Sequence, residues 1–150
     1  MMRRCVYALL LALVPASVMG QSPVSFAPDP NGHTDFAHPS GNIACIYIPA
    51  GGTRVYKPKD GGPELSCDQT GSGGAYRRYA LGKSGGARII QNPNEQDCCG
   101  SNNTLAQGAR WAAGPFSCES TLEGVNCNRN DGSGFSINAK GGGRAYPKPK

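Results

Sequence analysis

The sequence predicts a single small all-β domain, a disulfide-stapled β-sandwich or barrel that ends in a C-terminal meander. Three observations carry this. The apolar residues come in short β-branched and aromatic bursts, never as a long helical stripe. The 22 Gly and 12 Pro of the 150 residues cut the chain into short segments. Past residue 20 the cysteines form an even set, Cys45, Cys67, Cys98, Cys99, Cys118 and Cys127. In a small exported chain such a set reads as a disulfide framework supplementing a thin core. A zinc site lacks spacing support, because there is no Cys-x-x-Cys and there are only two histidines. No metal or cofactor is therefore expected.

Residues 1–20 read as an export signal. Arg3 and Arg4 form a basic start, the apolar run from Cys5 to Val14 is too short to span a bilayer, and Pro15 breaks it. Cleavage is expected after Gly20, which makes the protein secreted or periplasmic. An uncleaved anchor is disfavoured because no stop-transfer pattern follows. Arg3 and Arg4 leave with the signal, so 13 basic residues face 10 acidic ones and the charge falls from +5 to +3. Such mild basicity suits an anionic envelope polymer and is too weak to argue for nucleic acid. No second apolar segment approaches membrane-spanning length. About 130 residues remain, enough for one domain.

Residues 21–35 are rich in Pro and polar residues and read as an extended lead-in; the domain is expected over 36–140, with a flexible basic tail over 141–150. Ile43 to Ile48 alternates as a strand after a Pro-Ser-Gly turn. Arg54 to Lys57 suits a short edge segment, and Leu65-Ser-Cys-Asp68, 75–81 and 87–91 are further strands between Gly-rich turns. Residues 103–113 have some helical character, but Gly108 interrupts them and the apolar face is thin, so no helix is assigned.

The meander covers 115–138. Setting Cys118 opposite Cys127 makes Leu122-Glu123 a two-residue loop with Thr121 facing Gly124. The next turn admits two registers. A three-residue loop, Asn130-Asp131-Gly132 with Gly132 left-handed, sets Cys127 against Phe135 and Val125 against Ile137. A two-residue Asp-Gly loop would set Phe135 and Ile137 against asparagines, so the apolar face selects the longer loop. The same logic pairs Cys45 with Cys67. Cys98 and Cys99 remain, with α-carbons ~3.8 Å apart across a trans peptide, which is short for a disulfide.

The residues so assembled resemble a family of small exported bacterial domains of uncharacterised function. The likeness rests on Pro39-Ser-Gly-Asn-Ile-Ala-Cys45, Leu65-Ser-Cys-Asp68 and Trp111, and on Phe116, Cys118, Gly124, Val125, Cys127 and Phe135. It covers about 36–140. Two positions depart from the family pattern. Ser133 stands where members carry a histidine between the two glycines, and the middle of the chain lacks a separate cysteine while Cys99 is added. The resemblance makes a Cys98–Cys99 bond the remainder of the pairing. It implies export and a stapled β fold, and no activity.

Candidate chemistry is sparse. His33, Asp35, His38 and Ser40 bring acid, base and hydroxyl together, but a triad is a matter of geometry and four neighbours in a lead-in rarely provide it. Asp60/Glu64 and Glu95/Asp97 are the nearest carboxylate pairs. Tyr76, Arg77, Arg78 and Tyr79 interleave aromatic and basic groups, and with Trp111 they are the candidate binding residues, although alternation splits them between two faces. The basic, proline-rich stretches at 56–59 and 146–150 suit an anionic polymer. A reducible Cys98–Cys99 pair would suit redox or soft-metal chemistry, but Glu95 and Asp97 work against a low thiol pKa. The expectation is a non-catalytic exported module that binds an envelope polymer or another exported protein. The alternative is an enzyme using Cys98/Cys99 or the His33–Ser40 cluster.

Overall fold

A computed structural model describes residues 21–71, 74–94 and 100–147. The expected export signal, Glu95, Asp97 and the Cys98-Cys99 pair lie outside the described residues. Within them the protein is all-β, with ten strands and no α-helix: β1 Thr34–Ala37, β2 Ile43–Ile48, β3 Glu64–Thr70, β4 Tyr76–Leu81, β5 Arg88–Gln91, β6 Arg110–Ala113, β7 Phe116–Ser120, β8 Gly124–Arg129, β9 Gly134–Asn138 and β10 Gly143–Tyr146. They form two antiparallel sheets, ordered β1-β2-β3-β4-β5 and β10-β9-β8-β7-β6. Both sheets are open, so of the two architectures the sequence allows, the protein is a sandwich.

The predicted meander holds residue by residue. Cys118 pairs with Cys127, Cys127 with Phe135 and Val125 with Ile137. Gly132 has φ 87°, the left-handed position of the three-residue loop. Cys45 pairs with Cys67. Both opposed pairs are disulfide-bonded, with Cα atoms 4.0 and 4.1 Å apart, as the close spacing of non-hydrogen-bonded antiparallel pairs allows.

One cross-strand row appears twice. In the first sheet Phe36 lies opposite Cys45, Cys45 opposite Cys67, and Cys67 opposite Tyr79. In the second, Trp111 lies opposite Cys118, Cys118 opposite Cys127, and Cys127 opposite Phe135. The rows face each other through the core. The Phe36 ring is 5.0 Å from Trp111, Cys67 Sγ is 3.9 Å from Cys127 Sγ, and the Tyr79 ring is 5.7 Å from Phe135. The correspondence extends to polar groups. Gln69 and Arg129 each stand two residues past the second cysteine of their half, and both are buried. Gln69 Nε2 donates to the Asn138 carbonyl, and Arg129 Nη1 donates to the Gly82 carbonyl. Asn138 and Gly82 each lie three residues past the aromatic of their row. The two halves are therefore related by an approximate two-fold axis lying between the sheets.

Four segments differ from the sequence reading. Residues 54–57 form no strand: Thr53 Oγ1 accepts hydrogen bonds from the Val55 and Tyr56 amides and closes a turn. Residues 103–113 end in β6, and Gly108 has φ 80°, outside the helical region. The lead-in is docked against the domain, not merely extended before it. The Val24 amide donates to the Arg110 carbonyl, Phe26 packs 6.0 Å from Phe36, and β1 begins at Thr34. The tail supplies β10, paired with β9. Tyr146 lies opposite Gly134, whose missing side chain makes room for its ring, and its hydroxyl donates to Asn128 Oδ1 at 2.9 Å. The glycines before it hid a strand whose anchor is one aromatic residue.

Candidate functional site

The sandwich buries one face of each sheet and leaves the other outward. Strand alternation fixes which residues line the outer face of the second sheet. With Trp111, Cys118, Cys127 and Phe135 buried, their neighbours Arg110, Glu119, Asn126, Ser136 and Arg144 point away from the core. Their registers put them in one row across all five strands, Arg110–Glu119–Asn126–Ser136–Arg144. Four strand spacings make the row about 19 Å long. A parallel row holds Ser117, Asn128 and Tyr146. A trench of about 380 Å³ opens along β8, β9 and β10, walled by Glu123, Asn126, Ser136, Asn138 and Arg144. A smaller hollow of about 40 Å³ continues it toward Arg110 and shares Asn126.

This face is rich in amide and hydroxyl groups, which both donate and accept hydrogen bonds. Its charges balance, with Arg110 and Arg144 against Glu119 and Glu123. Among the described residues none of these four takes part in an ion pair within 4 Å. Apart from Glu123 in the β7–β8 loop, the groups stand on strands, so their spacing is fixed by the sheet.

The sequence-predicted candidates fall elsewhere. Tyr79 and Trp111 are core residues, 0% and 1% exposed, so neither offers an aromatic surface to a ligand. Tyr76 and Arg78 lie on the outer face of the first sheet and are tied to Asp68. The Tyr76 hydroxyl donates to Asp68 Oδ2 at 2.7 Å, and Arg78 Nε and Nη2 donate to the two carboxylate oxygens at 2.7 and 2.8 Å. Burial, then the bond to Asp68, pushes the Tyr76 phenol far above its ordinary range. Arg77 lies on the other face, where its Nε donates to Gln91. Alternation divides the stretch as expected, and β4 is an interior strand with both edges paired, to β3 and to β5. The candidate platform of Tyr76–Tyr79 and Trp111 is therefore not assembled: Tyr79 and Trp111 lie in the core, Asp68 holds Tyr76 and Arg78, and Arg77 lies on the opposite face from these two.

The His33–Ser40 cluster separates into two parts. His33 Nδ1 lies 3.2 Å from Asp29 in a local turn. His38 is buried, its Nε2 is 2.9 Å from the Thr121 carbonyl and its Nδ1 is 2.7 Å from Ser40 Oγ. A carbonyl only accepts, so the neutral ring carries its proton on Nε2 and presents the Nδ1 lone pair to Ser40. Ser40 Oγ is also 2.6 Å from Asn42 Oδ1, and it borders a hollow of about 540 Å³ with Leu122, Ala139 and Lys140. Asp35 makes no hydrogen bond to either histidine among the described residues. Of the candidate acid, base and hydroxyl, only His38 and Ser40 are brought together.

Asp60 and Glu64 border a groove of about 730 Å³ with Tyr56, Lys59 and Arg88. Asp60 Oδ1 accepts from the Gly62 amide and Glu64 Oε1 from the Tyr56 hydroxyl, so both carboxylates brace their own loop. Arg129 is a buried cation the sequence reading passed over. It is held by the Gly82 and Gly85 carbonyls at 2.6 Å and by Asp131, with Nε–Oδ1 3.0 Å and Nη2–Oδ2 2.6 Å. The bonds from Arg129 hold the Asp131 carboxyl down at about 2. No described helix is long and apolar enough to cross a membrane, and the disulfides mark an oxidising, non-cytoplasmic environment.

No family model, curated protein or solved structure matches the chain.

Proposed function

We propose that the protein is an exported, non-catalytic module that binds a polysaccharide of the cell envelope across the outer face of its second sheet. The observation that carries this reading is the register-locked row Arg110–Glu119–Asn126–Ser136–Arg144 beside an open trench. Amides and hydroxyls at fixed spacing suit the vicinal hydroxyls of a sugar chain, and a row of about 19 Å suits an extended polymer better than one small molecule. The local charge balance favours hydroxyl-rich chains. Acidic ones are drawn by the net charge of +3 expected after loss of the signal. The sequence likeness to exported bacterial domains and the disulfides support a secreted or periplasmic setting. The test is NMR titration of the protein with purified envelope polysaccharides. Amide shifts confined to Asn126, Ser136, Asn138 and Arg144, abolished in Asn126→Ala/Arg144→Ala, are expected. Failure to bind any such polymer, or binding that the double substitution leaves intact, would end the proposal.

A second reading has one observation behind it, the 2.7 Å approach of His38 Nδ1 to Ser40 Oγ beside a hollow. A base within reach of a hydroxyl and oriented by a third group is the minimum for a nucleophilic serine. The Ser40 amide also reaches His38 Nδ1 at 3.1 Å, which is how an ordinary turn is closed. Labelling of Ser40 by a fluorophosphonate, lost in His38→Ala, would favour the hydrolase; absence of labelling leaves His38 as a brace between the halves.

A further inference from the structure

The two disulfides touch, and this contact has a chemical consequence independent of the binding face. Cys67 Sγ is 3.9 Å from Cys127 Sγ, and the Sγ atoms of Cys45, Cys67 and Cys127 all lie within 4.8 Å of one another. Cys118 is bonded to Cys127. All four cysteines are 0–1% exposed. Strands β2 and β3 supply two of the sulfurs from one side of the core, and β7 and β8 supply two from the other.

We propose that, once both disulfides are reduced, Cys45, Cys67, Cys118 and Cys127 form a tetrathiolate site for a thiophilic d¹⁰ ion of the zinc type. One buried metal then replaces two disulfides as the staple of the sandwich. The spacing carries the argument. Tetrahedral zinc holds sulfur at about 2.3 Å, which sets neighbouring sulfurs about 3.8 Å apart. The cross-sheet pair already stands at that separation. A direct Cys67–Cys127 disulfide would instead need those two sulfurs at about 2.05 Å. The spacing of the sulfurs across the core therefore suits a bridging metal. Thiolate ligands favour zinc-type ions over magnesium or calcium.

The chemistry balances with one named co-reactant, a dithiol reductant. Each protein disulfide takes two electrons and two protons from one dithiol, which leaves as its own cyclic disulfide. The four thiols then release four protons as their sulfurs bind the divalent ion. In a reducing compartment the chain would hold metal, and in an oxidising one it would hold the two disulfides. Sequence spacing hides the site, because its ligands are brought together by strand register and by the two-fold stacking of the sheets rather than by a short motif.

The test uses the full chain with Cys5→Ser, Cys98→Ser and Cys99→Ser, reduced by a dithiol that is then removed without oxygen. Cobalt(II) is titrated in and displaced by zinc. The expected result is one equivalent of cobalt, with intense thiolate charge-transfer and tetrahedral d–d absorption. Four thiols should then resist alkylation. Cys67→Ser and Cys127→Ser should each weaken binding at least ten-fold. Absence of the tetrahedral signature, fewer than four protected thiols, or unchanged affinity in either variant would overturn the proposal. The alkylation count is made on the unsubstituted cluster, so it stands even where a single substitution prevents folding.

Discussion

Removing the disulfides one at a time should distinguish the two halves. Cys45–Cys67 closes a sequence separation of 22 and Cys118–Cys127 one of 9. In the chain-entropy account these correspond to about 3.4 and about 2.6 kcal/mol at 25 °C. The perturbation is Cys45→Ala/Cys67→Ala against Cys118→Ala/Cys127→Ala. Each pair deletes two equally buried sulfurs facing the other disulfide, so the packing losses are nearly matched and the difference reports loop length. Urea unfolding followed by circular dichroism should place the first variant below the second by about 0.8 kcal/mol. The loops do not overlap, so their entropic terms add in the quadruple variant. Contact between the disulfides adds a coupling that a double-mutant cycle isolates. Two results would refute the reasoning: the Cys118/Cys127 variant being the weaker, or the quadruple variant being no weaker than either pair.

Three further outcomes follow from single contacts. A Cβ on Gly134 would stand 2.3 Å from the Cys127 carbonyl oxygen and 2.8 Å from the Tyr146 ring; Gly134→Ala should cost about 1–3 kcal/mol in urea unfolding and free the β10 amides to hydrogen exchange. The Asp131 carboxyl is held at about 2 by Arg129, so its contribution is complete above the ordinary carboxyl range near 4 and is lost as pH falls through about 2. Wild-type urea midpoints should decline over that window by an amount absent from Asp131→Asn. Gln69→Leu removes the buried side-chain donor to the Asn138 carbonyl, which keeps the Gly141 amide, and should cost about 0.5–1.5 kcal/mol, measured the same way, with Arg129→Met as its counterpart in the other half.

The meander was legible because one apolar face had to stay inside. Shifting β9 by a single residue would have turned Phe135 and Ile137 outward, so Cys118, Cys127 and Gly132 left only one register. Cys45–Cys67 followed from the same alternation. The strands at 110–113 and 143–146 were hidden for opposite reasons. Arg110–Ala113 carries good helix formers and is held straight by pairing with β7, a long-range term that local propensity omits. Gly143–Tyr146 sits among glycines whose cost is offset by one Tyr146 contact. The candidate face gives little signal in the sequence, because its row carries no aromatic residue. Trp111 and Tyr79 were needed in the core, and the outward polar residues had to be read as the neighbours of the cysteines.

The doubled row also indicates where function should lie. Positions pointing inward match in kind between the halves: Phe36 with Trp111, Cys45 with Cys118, Cys67 with Cys127, Tyr79 with Phe135, and Leu65 with Val125. The outward row matches only in part, with arginine at Arg88 and Arg144 but different kinds of side chain at most other places. The places held by Arg110, Glu119, Asn126, Ser136 and Arg144 in the second sheet hold Asp35, Ile46, Ser66, Ala80 and Arg88 in the first. Packing two sheets face to face constrains the inner set in both halves alike, because any change there is felt across the core. It places no such demand on the outer set. Outward chemistry that differs between two otherwise matched halves is therefore not explained by the fold. On one side two of the five places, Ile46 and Ala80, are aliphatic, while on the other all five are amide, hydroxyl or charged groups beside an open trench. On the proposed reading the second sheet is therefore the face that meets a partner, while on the first sheet Asp68 holds Tyr76 and Arg78.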